Sequence, residues 1–348
     1  MNDEWLIYRG VGEPHDGIEA LPDPPPWRDF DGGPVDEEGA AAGAGTADGN
    51  IARRLGAHRQ AAELHRPEPE ELEAINAALY LRRPLLVTGF PGTGKSTLAH
   101  AVAHELKLGR VLRWPVVSRT VLQDGLYRYD ALARLQDVQI AASGGAVGGG
   151  QGGAPGAGRP PGIGKYIRLG PLGTALLPAE RPRVLLIDEL DKSDIDLPND
   201  LLNVLEEGEF ALPELERVAD TEPEVQVLTD DGAKVTVRGG RVRCRAFPFI
   251  ILTSNGERDF PAALLRRCIQ LKLGQPGEKR LATMVRAHLG EEAAQLGADL
   301  IREFLSRSQS ELVAADQLLN AVYLTHYAAP PTREDLADLL IQRLDRPR

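Results

Sequence analysis

The chain has 348 residues, which is long for a single hydrophobic core and sufficient for an α/β domain with a smaller domain attached. Its 51 acidic and 40 basic side chains give a formal net charge of -11, so the positive excess that marks nucleic-acid-binding proteins is missing overall, and nucleic acid is an unlikely partner. The two cysteines, Cys244 and Cys268, lack metal-site or disulfide-framework spacing, and no apolar run reaches about 18 residues, so we expect a cytoplasmic protein without a membrane span.

Residues 1–66 are predicted to form an extension that precedes the first domain. Prolines between Pro22 and Pro34, and the Ala/Gly stretch that follows, predict disorder over residues 31–50. The residues before that stretch include too many large apolar side chains for a solvated tail. We expect these to dock on the body of the protein or on a neighbour: Trp5, Ile7, Tyr8, Ile18, Leu21, Trp27 and Phe30.

Residues 67–275 alternate helical patterns with short apolar runs. The first helix is predicted from Pro69, because apolar residues recur there at helical spacing until residues 82–84. Strands are predicted at 84–88, 111–114, 184–187 and 249–253. Such alternation is typical of a parallel sheet covered on both faces, so the predicted fold class is α/β with three layers.

Three further segments complete the predicted architecture. The Gly/Ala/Pro-rich run at about 143–164 is expected to be a mobile surface or pore-side loop, or disordered. Alternating residues at 224–228 and 234–238 flank an Asp-Gly turn, which predicts a β-hairpin. Residues 276–348 show only helical patterns and are predicted to form a small all-α domain.

A phosphate-binding loop follows the first predicted strand. Residues 89–97 read GFPGTGKST, and a helical pattern begins directly after them. Glycines let backbone N–H groups surround phosphates, Lys95 supplies a full positive charge, and the Ser96 hydroxyl is a suitable Mg²⁺ ligand. The sequence therefore predicts a site for ATP and Mg²⁺, with these nucleotide-binding residues: Gly89, Pro91, Gly92, Thr93, Gly94, Lys95, Ser96 and Thr97.

Two carboxylates end the strand at 184–187. Asp188 and Glu189 come at its carboxyl end, which is the edge where ligands bind in open α/β sheets. Such a pair often caps a helix, but with a phosphate-binding loop upstream we interpret Asp188 as a metal residue. Glu189 is then placed to act as the general base toward water.

Further polar residues follow the strand at 249–253. Asn255 ends the strand at 249–253 and is expected to hold the attacking water or the γ-phosphate, unless it is only a turn residue. Arg266 and Arg267 end a short helix. They either satisfy carbonyl groups at that helix end or act as an arginine finger toward a neighbouring subunit.

These motifs together resemble an AAA+ ATPase. They are the GFPGTGKST loop, the LLIDELDK strand, the TSN strand end and an arginine before the last strand, followed by a helical lid. The resemblance covers residues 68–345. Within that superfamily the chain resembles the MoxR group, whose members carry a β insertion in the second helix and a hairpin before the sensor strand. The corresponding positions are roughly 115–178 and 224–247.

The N-terminal WLIYRG and PPPWR segments, with residues 118–130, resemble the MoxR component of vWA–MoxR ternary conflict systems. By position, the resemblance assigns sensor 1 to Asn255 and the finger to Arg267, with Arg266 as the alternative. Arg266 stands where the family reads Asp, and Cys268 stands where it reads Phe. The lid helix that opens with a sensor-2 arginine in the family begins here at Val313 without a basic residue, so sensor 2 is missing or replaced.

The resemblance implies a ring, expected to be a hexamer, that hydrolyses ATP and remodels or activates a protein partner, for which a vWA-domain protein is the candidate. Two alternatives share the same core: a chelatase-type subunit that inserts a metal into a cofactor, and a McrB-like nucleic-acid motor. The acidic net charge argues against the motor. No metal-cofactor site is apparent in the sequence to support the chelatase.

Overall fold

The structure is a computed structural model that describes residues 3–35, 67–144, 161–308 and 315–327. In those ranges the strands are β1 Leu85–Gly89, β2 Leu112–Pro115, β3 Tyr127–Tyr129, β4 Ile167–Leu169, β5 Val184–Asp188, β6 Glu209–Ala211, β7 Glu224–Leu228, β8 Lys234–Arg238, β9 Arg241–Arg243, β10 Phe249–Ser254 and β11 Ile269–Leu273. The α-helices are α1 Pro69–Leu81, α2 Lys95–Glu105, α3 Leu122–Leu126, α4 Ala131–Gly144, α5 Pro171–Ala175, α6 Asp196–Glu207, α7 Pro213–Glu216, α8 Ala262–Arg267, α9 Glu278–Leu289, α10 Glu291–Leu296, α11 Ala298–Ser308 and α12 Ala315–Tyr327.

The central sheet has five parallel strands in the order β11-β1-β10-β5-β2. The four apolar runs of the sequence form four of these strands, and the alternating residues that precede the lid form β11. Side chains of β5 alternate between two hydrophobic cores, with Leu185 and Ile187 in one and Val184 and Leu186 in the other. Because both faces are covered, the strand is apolar from Val184 to Ile187, as the sequence predicts. The expected α/β class is confirmed.

A second sheet joins the two predicted insertions. Its six strands lie in the order β3-β4-β7-β8-β9-β6. The predicted hairpin is confirmed, since β7 and β8 are antiparallel with Glu224 opposite Arg238 and Leu228 opposite Lys234. Strand β4 pairs with β7 through Arg168 and Leu228, and this contact links the segment after β2 to the hairpin. The insertions therefore form one β layer.

The Gly/Ala/Pro-rich run at 143–164 lies mostly outside the described residues. Its first two residues end α4, and its last residues are packed rather than loose, contrary to expectation. Ile163 and Gly164 are buried in a short 3₁₀ helix that precedes β4. A Cβ atom on Gly164 would lie 2.0 Å from the carbonyl oxygen of Gln226, so only glycine allows this contact with β7.

The N-terminal residues dock on the core, as the sequence predicts for their apolar side chains. Ile7, Tyr8 and Ile18 are buried in the same core as β1. The buried Asn76 side chain on α1 accepts hydrogen bonds from the backbone N–H groups of Ile7 and Tyr8, at 2.8 and 2.9 Å, and donates to the Tyr8 carbonyl at 2.8 Å. Glu105, at the end of α2, accepts from the N–H groups of residues 9, 10 and 12. This segment is therefore part of the folded body around the central sheet.

Arg28 fastens the next part of the N-terminal segment to two helix ends. Its guanidinium donates to the carbonyl oxygens of Arg82, Leu205 and Glu206 at 2.8 to 3.1 Å, although the side chain is only 4% exposed. The neighbouring Trp27 is 74% exposed and does not share in this docking. Disorder over 31–50 is wrong for residue 32, whose N–H donates to the Cys244 carbonyl at 3.0 Å. Residues 36–66 lie outside the described part.

Helices α9 to α12 pack around a hydrophobic cluster of their own. Its buried members include Leu281 and Val285 of α9, Ile301 and Phe304 of α11, and Leu318 of α12. Residues 309–314 and 328–348 lie outside the described part, and with them the expected start of the sensor-2 helix at Val313. In the ranges that the structure describes, no helix combines the length and apolar character needed to cross a membrane.

Candidate functional site

The phosphate-binding loop connects β1 to α2, as predicted. Helix α2 begins at Lys95 because Gly94 adopts a left-handed conformation, with φ of 88°, that other residues adopt only at a cost. The Thr93 hydroxyl donates to the carbonyl oxygen of Phe90 at 2.9 Å and braces the turn. The first N–H groups of α2 have no carbonyl partners within the helix, an arrangement that favours an anion such as phosphate at this end.

Lys95 lies inside the loop that is predicted to bind phosphate. Its ammonium group donates to the carbonyl oxygens of Gly89 and Phe90, each at 2.8 Å, and the residue is 8% exposed. Burial lowers the pKa of Lys95, against the attraction of three nearby carboxylates. Two neutral carbonyl oxygens satisfy the charge only partly, so phosphate oxygens are better partners for the same ammonium group.

Asp188 is the centre of the site. Its Oδ1 accepts hydrogen bonds from the Ser96 hydroxyl at 2.9 Å and from the Thr253 hydroxyl at 2.8 Å. Its Oδ2 accepts from Arg113 at 2.7 Å. Burial acts to raise the pKa of Asp188, but the three hydrogen bonds outweigh it and hold the pKa below its usual range. The carboxylate is therefore charged at neutral pH and lies against the loop hydroxyl.

Ser96 and Asp188 fit a magnesium ion. A hydroxyl and a carboxylate oxygen at 2.9 Å from each other form a small set of hard oxygen donors. Magnesium prefers one or two such protein donors, with phosphate oxygens and water completing its octahedron. The structure thus brings together two residues that lie 92 positions apart and that the sequence assigns separately to the metal.

Glu189 has a left-handed backbone, with φ of 61°, which is uncommon for a residue with a side chain. Its N–H donates to the Thr253 hydroxyl at 2.9 Å, and this bond holds the turn. The Glu189 carboxylate pairs with Lys192 at 2.8 Å, and both side chains are about two-fifths exposed. A pair this exposed is weak, so the carboxylate can leave Lys192 for another partner. Strain at such a residue is typical of functional sites.

Asn255 follows β10, and within the described residues its hydrogen bond is to Asp191 rather than to Asp188 or Glu189. Its backbone N–H donates to the buried carboxylate of Asp191 at 2.9 Å, and the Glu257 N–H donates to the same oxygen at 3.1 Å. Asp191 therefore holds the turn that follows β10 against the strand end of β5. The Asn255 side chain is half-buried and follows the buried Thr253 and Ser254.

Arg266 and Arg267 end α8 and face different surroundings. Arg267 pairs with Glu206 at the end of α6, with 3.2 Å between Nε and Oε2, and also donates to the Ala263 carbonyl. Arg266 is exposed, and its carbonyl oxygen accepts from Arg83. Within the described residues, neither guanidinium contacts the chain's own phosphate-binding loop.

The sequence did not lead us to assign a role to three residues that the structure places at or beside the site. Thr253 was part of the TSN motif, but only Asn255 was assigned a role there. Arg113 is a charged residue within an otherwise apolar strand, and this exception to the pattern could have identified it as a candidate for the site. For Arg280 of α9, the neighbouring sequence contains no motif that would indicate a role near the site. Arg280 pairs with Glu71 of α1 at 2.6 Å and lies 3.4 Å from the Thr93 carbonyl, so it links the lid helices to the loop.

Comparison with known proteins gives one family match. The AAA domain family of the dynein-related subfamily matches residues 84–268, which is more than half of the chain. These residues contain β1, the phosphate-binding loop, Asp188, Glu189 and both arginines of α8. No curated protein matches the chain in sequence.

Solved structures of low identity are also similar. The RuvB Holliday junction branch migration motor of Thermotoga maritima is 17% identical, with a TM-score of 0.35 over 78% of this chain and 66% of that one. NtrX from Brucella abortus, in complex with ADP, is 14% identical, with a TM-score of 0.40 over 86% of this chain and 61% of that one. The chain thus spans less than two thirds of each of these structures.

The family match and the site geometry agree. The matched residues 84–268 include every strand of the central sheet except β11, together with the loop and the carboxylates that the structure brings together. A nucleotide-binding loop with a charged acidic residue against its hydroxyl is the shared machinery of P-loop ATPases. The chain belongs to the AAA domain family, dynein-related subfamily.

Proposed function

We propose that the chain hydrolyses ATP with Mg²⁺ at the site around Asp188. The observation that carries the proposal is the hydrogen bond from Ser96 to Asp188, because it joins the phosphate-binding loop to the carboxyl end of β5. Ser96 and Asp188 would hold the metal, which when bound neutralises charge on the phosphates. Lys95 exchanges its two carbonyl partners for phosphate oxygens.

Glu189 is the proposed general base. Its weak pair with Lys192 leaves the carboxylate able to turn toward a water molecule and accept its proton as the water attacks. Thr253 positions both acidic groups, since one hydroxyl contacts Asp188 and the Glu189 backbone. Asn255, at the end of the adjacent strand, is the proposed sensor that orients the water or the γ-phosphate.

We further propose that the active sites are completed between subunits of a ring, most plausibly a hexamer. Arg267 is the proposed finger, and Arg266 is the alternative. The Arg267 side chain is 41% exposed, and its acidic partner Glu206 is 49% exposed. Such a pair contributes little to stability, so the guanidinium is free to exchange Glu206 for a phosphate of the neighbouring subunit.

The proposed cellular role is that of a MoxR-like ATPase that remodels or activates a protein partner, for which a vWA-domain protein is the first candidate. What supports this proposal is the second sheet, because the segment after β2 and the hairpin before β10 occupy the positions where that group carries its insertions. The acidic net charge of -11 also favours a protein partner over nucleic acid.

Two substitutions test the ATPase proposal. Lys95→Ala is expected to abolish ATP binding, and Glu189→Gln is expected to retain ATP while turnover falls on the order of 10²- to 10⁴-fold. Lys234→Ala is the matched control, since this lysine is exposed on the β8 hairpin. The measurements are nucleotide affinity by a fluorescent analogue and phosphate release. Equal ATP affinity in wild type and Lys95→Ala would refute the proposal.

Light scattering tests the ring, and affinity capture tests the partner. The Glu189→Gln protein with ATP is expected to assemble into a closed oligomer, whereas a fully active monomer would contradict a shared active site. The same variant, used as bait in the native host, is expected to retain the partner in an ATP-dependent manner. Lys95→Ala is the control bait. Equal capture by both baits would count against nucleotide-driven remodelling.

A further inference from the structure

A pocket of about 460 Å³ lies where the second sheet meets β2 and the loop that follows it. Its charged lining residues come from β2, that loop, α3, β3, β4 and the hairpin turn: Arg113, Arg119, Asp124, Arg128, Arg168 and Asp230. Four arginines against two aspartates leave the lining with an excess of positive charge, in a chain whose formal net charge is -11. The pocket therefore concentrates positive charge on an acidic protein.

Two of these arginines lie directly opposite each other in the sheet. Arg128 of β3 and Arg168 of β4 are an antiparallel pair, and both side chains point to the exposed face. Like charges directly opposite on neighbouring strands are destabilising. An anion between two guanidinium groups turns this repulsion into two charge-assisted hydrogen-bonded contacts.

The two acidic residues of the pocket compensate this charge only in part. The Asp124 carboxylate accepts a hydrogen bond from the N–H of Val121 and so stabilises the start of α3. Burial raises the pKa of Asp230 against the attraction of Arg110 and Arg168. Among the described residues, the hydrogen bond that Arg168 donates goes to the backbone carbonyl of Asp230, at 2.9 Å, and not to its carboxylate. In the ranges that the structure describes, Arg119 and Arg128 form no ion pair.

We propose that this pocket binds a doubly charged phosphoryl group. Two guanidinium forks on one face of the sheet, with Arg119 beside them, supply more N–H donors than one carboxylate can accept. A phosphoryl dianion has three strong acceptor oxygens, which suit the guanidinium groups of Arg119, Arg128 and Arg168. The group can be free inorganic phosphate or part of a phosphorylated side chain.

Arg113 connects the pocket to the ATPase site. It lines the pocket and donates to Oδ2 of Asp188 at 2.7 Å. A phosphoryl group in the pocket competes with Asp188 for this guanidinium. Occupancy of the pocket therefore changes the charge around Asp188, the proposed metal ligand. By thermodynamic reciprocity, the nucleotide state of the ATP site alters the affinity of the pocket for the phosphoryl group.

Thermal unfolding with inorganic phosphate as the probe tests the proposal. The phosphate-binding loop is first saturated with ADP, and the series is repeated in the Lys95→Ala background, so that phosphate at the nucleotide site does not contribute. The wild type is expected to gain stability saturably with phosphate, as a ligand that binds only the folded state requires. Arg128→Ala and Arg168→Ala are expected to weaken apparent phosphate affinity by at least about tenfold.

Arg238→Ala is the matched control, because this arginine lies on the same sheet outside the pocket lining and pairs with Glu224. It is expected to keep the wild-type response. Without phosphate, Arg128→Ala is expected to be at least as stable as the wild type, and Arg128→Gln serves if the alanine variant folds poorly. A peptide with phosphoserine, compared with its serine form, separates a phosphorylated partner from free phosphate. Equal phosphate responses in wild type and both pocket variants, or no response to either probe, would overturn the proposal.

Discussion

Thr253→Val is the substitution that probes the site most locally. It replaces a hydroxyl with a methyl group of similar size at a position that is 1% exposed. The change removes a hydrogen bond to the charged Asp188, at 2.8 Å, and the acceptor for the Glu189 N–H, at 2.9 Å. Bonds to charged groups contribute about 1.5 to 3 kcal/mol and neutral ones about 0.5 to 1.5 kcal/mol. Since Asp188 keeps two other donors, we expect the free energy of unfolding to fall by about 2 kcal/mol.

The larger effect is expected on turnover. Glu189 has a strained backbone that Thr253 helps to hold, and displacement of a catalytic group by about 1 Å can cost about 10²-fold in rate. We therefore expect kcat to fall on the order of 10²-fold and KM for ATP to stay within about twofold. Phosphate release and urea unfolding are the assays, with Thr253→Ser and Ser254→Ala as controls. Wild-type kcat in Thr253→Val, at normal stability, would refute this positioning role.

Three further predictions concern the docked segments and the thiols. Asn76→Ala should lower the free energy of unfolding in urea on the order of 3 kcal/mol, because buried backbone groups of the N-terminal segment lose their partners; a change below about 1 kcal/mol would contradict the docking. Arg280→Ala should weaken ADP binding about five- to tenfold by releasing the lid, while Arg286→Ala, an exposed control, should not. Burial raises the pKa of Cys244 and Cys268 to about 12, so both should react with a thiol reagent at pH 8 only after unfolding, and rapid reaction of the folded protein would be the contrary result.

The sequence predicts the parts of this molecule that depend on local pattern. The apolar runs become β1 and β5 because both faces of the sheet are covered, and hairpin pairing follows from the Asp-Gly turn. The positions of Lys95, Ser96 and Asp188 in the fold could be predicted because their motifs are short and lie at fixed ends of strands and helices, whereas their roles stay predictions.

Contacts between distant segments could not be predicted in the same way. Periodicity shows which face of a helix is buried, but it does not show which segment covers that face. The hydrogen bonds between the Asn76 side chain and the Tyr8 backbone could therefore not be predicted. Likewise, the position of Arg280 over the loop depends on how the lid helices pack on the core. Arg113 belongs to a strand that reads as apolar, and only strand order places it against Asp188.

A mixing experiment tests most directly the claim that neighbouring subunits complete each active site. Arg267→Ala subunits keep an intact nucleotide site, and Glu189→Gln subunits keep an intact finger. Finger arginines contribute about 10³- to 10⁵-fold in rate in related P-loop enzymes, so each variant alone should be nearly inactive. Mixed rings should regain part of the activity, with a maximum at intermediate ratios, while Arg266→Ala should stay active alone. Activity equal to the sum of the two residual rates at every ratio would contradict the shared site.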